Sequence, residues 1–200
     1  MKNAIYFVIA LIISIIALLI FKNINLSSKA NYITIMNTNY ILVRDIAPPI
    51  YFIENCSEKI EALKKIFKEK PITARLKYKA FLISHFGEEE IIINGIIPKN
   101  DKEVFNIINN ETIEKIKDKN FIIINSKTAL ALDINIGDNI ILKLITKDGY
   151  YNAEEFIILD IAKNLDYNFA LIDINKLNNL VNLNNLASEI YIKDTKFKES

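Results

Sequence analysis

The chain has 200 residues, 51% of them hydrophobic and 24% charged, and its 25 Lys and Arg nearly balance its 24 Asp and Glu. This composition is typical of a globular protein and excludes a chain that is disordered throughout. A formal net charge of +1, without a basic stripe, argues against a nucleic-acid partner. The single cysteine, Cys56, excludes an internal disulfide and a thiolate metal cluster.

The N-terminal segment Ala4–Phe21 is uncharged and contains no helix breaker. As a helix it would be about 27 Å long, close to the ~30 Å hydrocarbon core of a membrane. We therefore predict a retained transmembrane anchor at residues 1–23, a cytoplasmic (inner) membrane location, and a single-pass chain with residues 24–200 outside the cytoplasm. The alternative is a cleaved signal peptide, but the small residues of Ser28-Lys29-Ala30 lie too far beyond Phe21 for a well-placed cleavage site.

Residues 31–84 predict a strand–helix–strand unit. The segment Tyr32 to Asp45 is rich in β-branched and aromatic residues and indicates one long strand or two short ones. Ser57 is a candidate N-cap for the helix "EKIEALKKIFKEK", which Pro71 ends. The following "ITARLKYKAFLI" alternates apolar residues with Thr73, Arg75 and two lysines, which predicts a strand with one solvated face.

Residues 167–194 repeat this plan with "NFALIDI", "NKLNNLVNL" and "SEIYIKD". Two such units at the ends of a domain favour an α+β fold with a split βαβ…βαβ, ferredoxin-like layer. Residues 88–163 between them would form an inserted β-rich subdomain. That segment predicts strands at "EIIINGIIP", "FIIIN", "NIILKLIT" and "YNAEEFIILDIA", with a helical stretch around Lys102 to Lys117 and a short helix at "SKTALALD".

Glycine is scarce, with four in the chain, so its positions are informative. Gly137 precedes Asp138 between two aliphatic runs, where it can adopt positive φ while Asp138 bonds to nearby backbone amides. Around this turn, Ala129, Leu130 and Leu132 should cover the short helix, and Ile134 and Ile136 should pack beneath the turn. The residues predicted to form structural turns are Gly95, Pro98, Gly137, Asp138 and Gly149.

Candidate chemical groups are few. The only histidine, His85, has no companion residue that would make it a ligand or a catalytic base. Glu88-Glu89-Glu90 face different directions in a strand, and Cys56 has neither a resolving cysteine nor a nearby histidine. No phosphate-binding glycine loop or nucleophile motif occurs. We therefore predict no catalytic residue, no cofactor and no metal site, and a protein that is not an enzyme.

Four segments together resemble a known family. "FIIINSKTALALDINIGDNIILKL" is similar to a strand, helix, Gly-Asp turn and strand in the permeases of MacB-type and LolC/LolE-type (FtsX-like) ABC transporters. "IIINGIIPKNDKEVF", "EEFIILDIA" and "FALIDINKLNNLVN" resemble other elements of the same periplasmic core domain. The resemblance covers most of Asn31 to Asp194.

The resemblance implies an extracytoplasmic domain of a lipoprotein-releasing or export-type permease that acts through protein contacts. Its expected partners are a separate ABC ATPase subunit, further permease helices, the membrane and a periplasmic carrier protein. Such permeases have three further membrane helices, which do not follow in these residues, so we expect no transport by this chain alone. A split, a truncated and a stand-alone permease remain open. The alternative function is a bitopic scaffold of a division or pilus-type assembly.

Overall fold

The computed structural model describes residues 24–29, 32–40, 51–68, 70–118, 120–163, 165 and 168–193. The predicted anchor Ala4–Phe21 lies outside these ranges, as do residues 41–45 of the first predicted strand. Within the described ranges, no helix is both long enough and apolar enough to cross a membrane.

The described part of the chain contains nine strands and five helices. The strands are β1 (Ile24–Lys29), β2 (Tyr32–Asn37), β3 (Ile72–Ile83), β4 (Glu88–Ile96), β5 (Phe121–Asn125), β6 (Asn139–Ile145), β7 (Tyr151–Ala162), β8 (Phe169–Asp173) and β9 (Glu189–Lys193). The helices are α1 (Cys56–Ile66), α2 (Pro98–Phe105), α3 (Asn110–Asp118), α4 (Ser126–Ala131) and α5 (Ile174–Leu180).

All nine strands form one sheet, in the order β1-β2-β9-β3-β4-β8-β5-β7-β6. Because β6 also pairs with β3, the six strands β3, β4, β8, β5, β7 and β6 form a closed sheet. Strand β3 is 12 residues long and makes this closure possible. Its first part, Ile72–Arg75, pairs with β9, and its last part, Ala80–Ile83, pairs with β6 along the same edge.

The junction between these two pairings is held by side chains. The Lys77 amide donates to Ser188 Oγ over 3.0 Å, and the Tyr78 hydroxyl donates to the Ile145 carbonyl over 2.7 Å. These bonds satisfy backbone groups of β3 and β6 where the sheet divides, as buried polar groups require.

The closed sheet corrects the predicted fold class. Both strand–helix–strand units are present, as β2–α1–β3 and β8–α5–β9, and they interleave because β9 lies between β2 and β3. The middle strands do not form a separate β-rich insertion, because they close with β3 and β8 into the same sheet. The fold is therefore a mixed α/β closed sheet with an arm of three strands, β9, β2 and β1, rather than a ferredoxin-like layer that carries an insertion.

Two apolar cores stabilise this arrangement. The larger core contains alternate residues of the closed sheet, such as Leu76, Leu142 and Phe156, and extends under α1 and α5. The smaller core lies on the opposite sheet face, between α3 and residues such as Ile123 and Leu171. The continuous run "FIIIN" is explained by these two cores, because β5 is buried on both faces.

Three local expectations are also corrected. Helix α1 begins at Cys56 after Asn55 in a left-handed conformation, and Ser57 Oγ instead donates to Asn185 Oδ1 over 2.8 Å. The predicted helical stretch from Lys102 to Lys117 is divided into α2 and α3, because Asn106 has positive φ and ends α2. The predicted solvated face of β3 is covered at its start by α2, which buries Arg75.

Candidate interaction surface

The Gly137–Asp138 turn leads the chain from α4 into β6. Gly137 has φ 94°, and its amide donates to the Ile158 carbonyl over 2.8 Å. The Asp138 carboxylate accepts from the Asn135 amide over 2.7 Å. These two bonds close the turn and join it to β7, so Asp138 has a local structural partner.

The apolar residues around this turn divide into buried and exposed sets. Ala129, Leu132 and Ile134 are buried as expected. In contrast, Leu130 is 83% exposed and Ile136 is 60% exposed. This corrects the expectations that Leu130 helps to form the apolar cover of the short helix and that Ile136 packs beneath the turn. The six-residue helix α4 presents one narrow face to the core, so Leu130 points away from it.

Large exposed apolar side chains gather along β6 in the described part of the chain. Of the eight such side chains, only Ile66 lies elsewhere. Ile141 and Ile145 alternate on the outer face of β6, and Ile145 pairs with Tyr151 of β7. The loop after β3 is held beside α4, because Ser84 Oγ donates to the Leu132 carbonyl over 2.9 Å. We define the β6 surface as Phe86, Leu130, Ile136, Ile141, Ile145, Tyr150 and Tyr151.

Two lysines beside the β6 surface form ion pairs. Lys143 lies between Ile141 and Ile145, and its Nζ is 2.9 Å from Glu88 Oε1 and 5.1 Å from the centre of the Phe81 ring. Lys79 Nζ is 2.6 Å from Glu90 Oε2. The side chains of the β6 surface are thus apolar or aromatic, with Glu155 of β7 exposed opposite Ile141. Exposed apolar patches can mark interaction sites.

The other candidate chemical groups are located as follows. His85 lies in the loop after β3, and its ring is 4.2 Å from that of Phe86. Glu88 and Glu90 belong to β4 and form ion pairs with Lys143 and Lys79. Among the described residues, no three His, Cys, Asp or Glu side chains lie close enough to hold a metal ion.

Cys56 is buried at the start of α1. Burial raises the pKa of its thiol to about 12, although the charge of Lys59 partly opposes this rise. The neutral thiol is therefore favoured, which is the state of a structural cysteine rather than of a nucleophile.

The remaining predicted turn residues have three different roles. Gly95 lies inside β4 rather than in a turn, because a Cβ there would be 3.0 Å from the Ile174 Cα and α5 packs directly on it. Pro98 occupies the first turn of α2, where its missing N–H costs no helical hydrogen bond. Gly149 has φ 85° in the hairpin between β6 and β7.

A buried charged cluster under α2 was not predicted. Arg75 of β3 pairs with Asp101 of α2, and its guanidinium carbon is 4.0 Å from the centre of the Phe105 ring. Burial lowers the pKa of Arg75, but its hydrogen bond to Asp101 and the nearby negative charge outweigh this and raise the pKa overall. The sequence offered one signal for this pair, an acidic residue in the first turn of α2, but nothing that placed it over β3.

Comparison with known proteins identifies the fold. No family model matches the sequence, and no curated protein matches it significantly. The structure is similar to the extracellular domain of the noncanonic ABC-type transporter YknZ from Gram-positive bacteria, with 16% identity, 72% of this chain and 74% of that chain covered, and a TM-score of 0.56. It is also similar to the periplasmic region of MacB from Actinobacillus actinomycetemcomitans, with 11% identity, 86% and 78% covered, and a TM-score of 0.56.

The chain has the fold of a MacB-like periplasmic core domain. The resemblance seen in the sequence is thereby confirmed at the level of the fold. Its four segments correspond to β5–α4–β6, β4–α2, β7 and β8–α5. In this MacB-like fold they therefore lie in the closed sheet and the helices that adjoin it, and the first of them borders the β6 surface.

Proposed function

We propose that this chain is the membrane-anchored, extracytoplasmic domain of an ABC-transporter permease of the lipoprotein-releasing or export type. It acts through protein contacts and has no catalytic or nucleotide site of its own. A separate ABC ATPase hydrolyses ATP in the cytoplasm, and the anchor Ala4–Phe21 links this domain to further permease helices. A periplasmic carrier protein is the expected partner on the outer side of the membrane.

The observation that supports this proposal most directly is the fold, which is similar to extracytoplasmic domains of two ABC-type transporters. The β6 surface adds a reason to expect protein contacts, because exposed apolar side chains are concentrated there among the described residues. Leu130 and Ile136 make the best probes of this surface. They are well exposed, so their replacement should leave the core intact.

The test is affinity purification of the full chain from its native membrane, after cross-linking in the cell. We expect an ABC ATPase and a multi-helix permease to co-purify, identified by mass spectrometry. The variant Leu130→Glu/Ile136→Glu should lose the extracytoplasmic partner while retaining the melting temperature of the parent protein. Ile66→Glu is the matched control, because Ile66 is an exposed apolar residue outside the β6 surface.

Two results would contradict the proposal. Recovery of division or pilus components in place of an ATPase would favour the scaffold function. Tight binding of ATP by the purified chain, measured by calorimetry, would contradict the absence of a nucleotide site.

A further inference from the structure

The helices that follow strands β4 and β8 pack on opposite faces of the sheet. The two strands are adjacent and parallel, and their carboxyl ends meet where Ile96 pairs with Asp173. After β4, helix α2 packs on the sheet face that carries Arg75, through the ion pair with Asp101. After β8, helix α5 packs on the other face, against Gly95.

Adjacent parallel strands whose helices depart to opposite faces leave a crevice at their carboxyl ends, and such crevices are common ligand sites. A cleft of about 650 Å³ occurs at this point, within the size range of ligand-binding sites. Its walls come from the start of α1, the starts of α2 and α5, Asn185 and Leu186 before β9, and Ile116, Asn120 and Phe121.

The charged groups of the cleft are already engaged. Asp173 accepts from the amides of Asn175 and Lys176 and caps α5. Lys176 forms an ion pair with Glu154 of β7. A charged ligand would have to compete with these contacts, so the cleft favours an uncharged occupant.

The amide groups of the cleft fall into two classes. Asn178 is fixed, because it donates to the Ile174 and Leu186 carbonyls over 3.0 and 3.1 Å and accepts from the Leu186 amide over 3.1 Å. Asn175 and Asn179 lie four residues apart on α5, are exposed, and make no side-chain hydrogen bond within the described part of the chain. Their spacing places both amides on one face of the helix.

We propose that this cleft binds an uncharged, extended peptide segment of a partner protein. Each free amide, of Asn175 and of Asn179, offers both a donor and an acceptor, which matches the two polar groups of a peptide unit. Apolar residues on the cleft walls, including Ile97, Phe121 and Leu186, receive an apolar side chain of the same segment. This inference rests on the proposed function, since it names the kind of partner that the domain contacts.

The test uses the full chain in lipid nanodiscs, with empty nanodiscs to correct for partition of the probe into lipid. One probe is a pool of N-acetylated, C-amidated hexapeptides made from Ala, Leu, Ser and Asn. The second pool carries two Lys or two Glu in each peptide. Saturation-transfer NMR should detect binding of the neutral pool and not of the charged pool.

The variants identify the cleft as the site. Asn175→Ala/Asn179→Ala should weaken binding about tenfold or more, because two hydrogen bonds are lost. Asn179→Trp should abolish binding by filling the cleft. Asn139→Ala is the matched control, since Asn139 is an exposed asparagine at the start of β6, and it should bind as the parent does. Thermal melts of all variants establish that they are folded.

Three results would overturn the inference: absence of neutral-pool binding, equal binding of the charged pool, or unchanged binding by the Asn175→Ala/Asn179→Ala variant. These results are independent of ATPase co-purification. Peptide binding without co-purification of the ATPase would contradict only the proposed function. Co-purification of the ATPase without peptide binding would contradict only the proposal that the cleft binds a peptide.

Discussion

Arg75 and Asp101 form a doubly hydrogen-bonded ion pair inside the protein. Arg75 Nε is 2.8 Å from Asp101 Oδ1, and Nη2 is 2.9 Å from Oδ2. The pair joins β3 to α2, and the Asp101 side chain is fully buried. The orientation of α2 on the sheet, and with it one wall of the cleft, therefore depends on this contact.

The first prediction is that Asp101→Ala lowers the free energy of unfolding by about 3–5 kcal/mol. The physical reason is that Arg75 would remain buried without the carboxylate that hydrogen-bonds to it, leaving only the charge of Glu189 nearby, and breaking a buried ion pair is strongly destabilising. Denaturant unfolding at neutral pH measures the loss. Glu61→Gln is the control, because it removes the exposed pair with Lys64 and should cost less than about 1 kcal/mol. Equal losses in the two variants would refute the structural role of the buried pair.

The second prediction concerns the contact between β4 and α5. Gly95→Ala should destabilise the protein by about 1–3 kcal/mol, because the new Cβ would be 3.0 Å from the Ile174 backbone and α5 would have to shift. Gly87→Ala is the matched control, since a Cβ at Gly87 meets nothing within 4 Å. Chemical denaturation of both variants tests the difference, and a control as unstable as Gly95→Ala would be the contrary outcome.

The succession of strands and helices could be predicted from the sequence, because it depends on local patterns. The alternation along "ITARLKYKAFLI" and the apolar run "FIIIN" both gave the correct elements. Closure of the sheet could not be predicted in this way. It depends on pairing between Ala80–Ile83 and β6, which are about 60 residues apart, and no local periodicity records such a contact.

The candidate surfaces were harder to predict for the same reason. Ile134 and Ile136 have the same side chain and lie two residues apart, yet only Ile134 is buried. The Gly137 amide donates a hydrogen bond to the Ile158 carbonyl and so joins the turn to β7. This contact determines which of the two isoleucines faces the core. The cleft likewise requires α2 and α5 to depart to opposite faces, which is a property of the folded chain and not of either segment.

The third prediction is that Gly137→Val costs about 1–3 kcal/mol of stability. A Cβ there would meet nothing within 4 Å, so the cost arises from φ 94° alone, a region that L side chains rarely adopt. Asp138→Asn should be milder, because an amide oxygen can still accept from the Asn135 amide. Denaturant melts give the ranking, and a greater loss for the Asp138 change would mean that its charge matters beyond the turn.

The last prediction is that the protein loses stability at alkaline pH through Tyr78 and Cys56. Burial, followed by the charge of Asp148, raises the pKa of Tyr78 to about 12 from an ordinary value of 10.0. The folded state therefore holds the phenol proton more tightly than the unfolded state does. The resulting stability is complete below pH 10 and is lost as the pH rises to about 12. Cys56 behaves in the same way between pH 9.0 and about 12, mainly because of its burial.

Unfolding free energies measured by denaturant from pH 8 upward should therefore fall with pH, and Tyr78→Phe should fall less steeply above pH 10. The same variant should be less stable by about 1 kcal/mol at neutral pH, because the hydroxyl no longer donates to the Ile145 carbonyl where β3 meets β6. Cys56→Ala should flatten the curve from pH 9 without removing a hydrogen bond. Tyr150→Phe, at an exposed position, should follow the parent curve. A parent curve that is level from pH 8 to pH 12 would show that neither buried group contributes in this way.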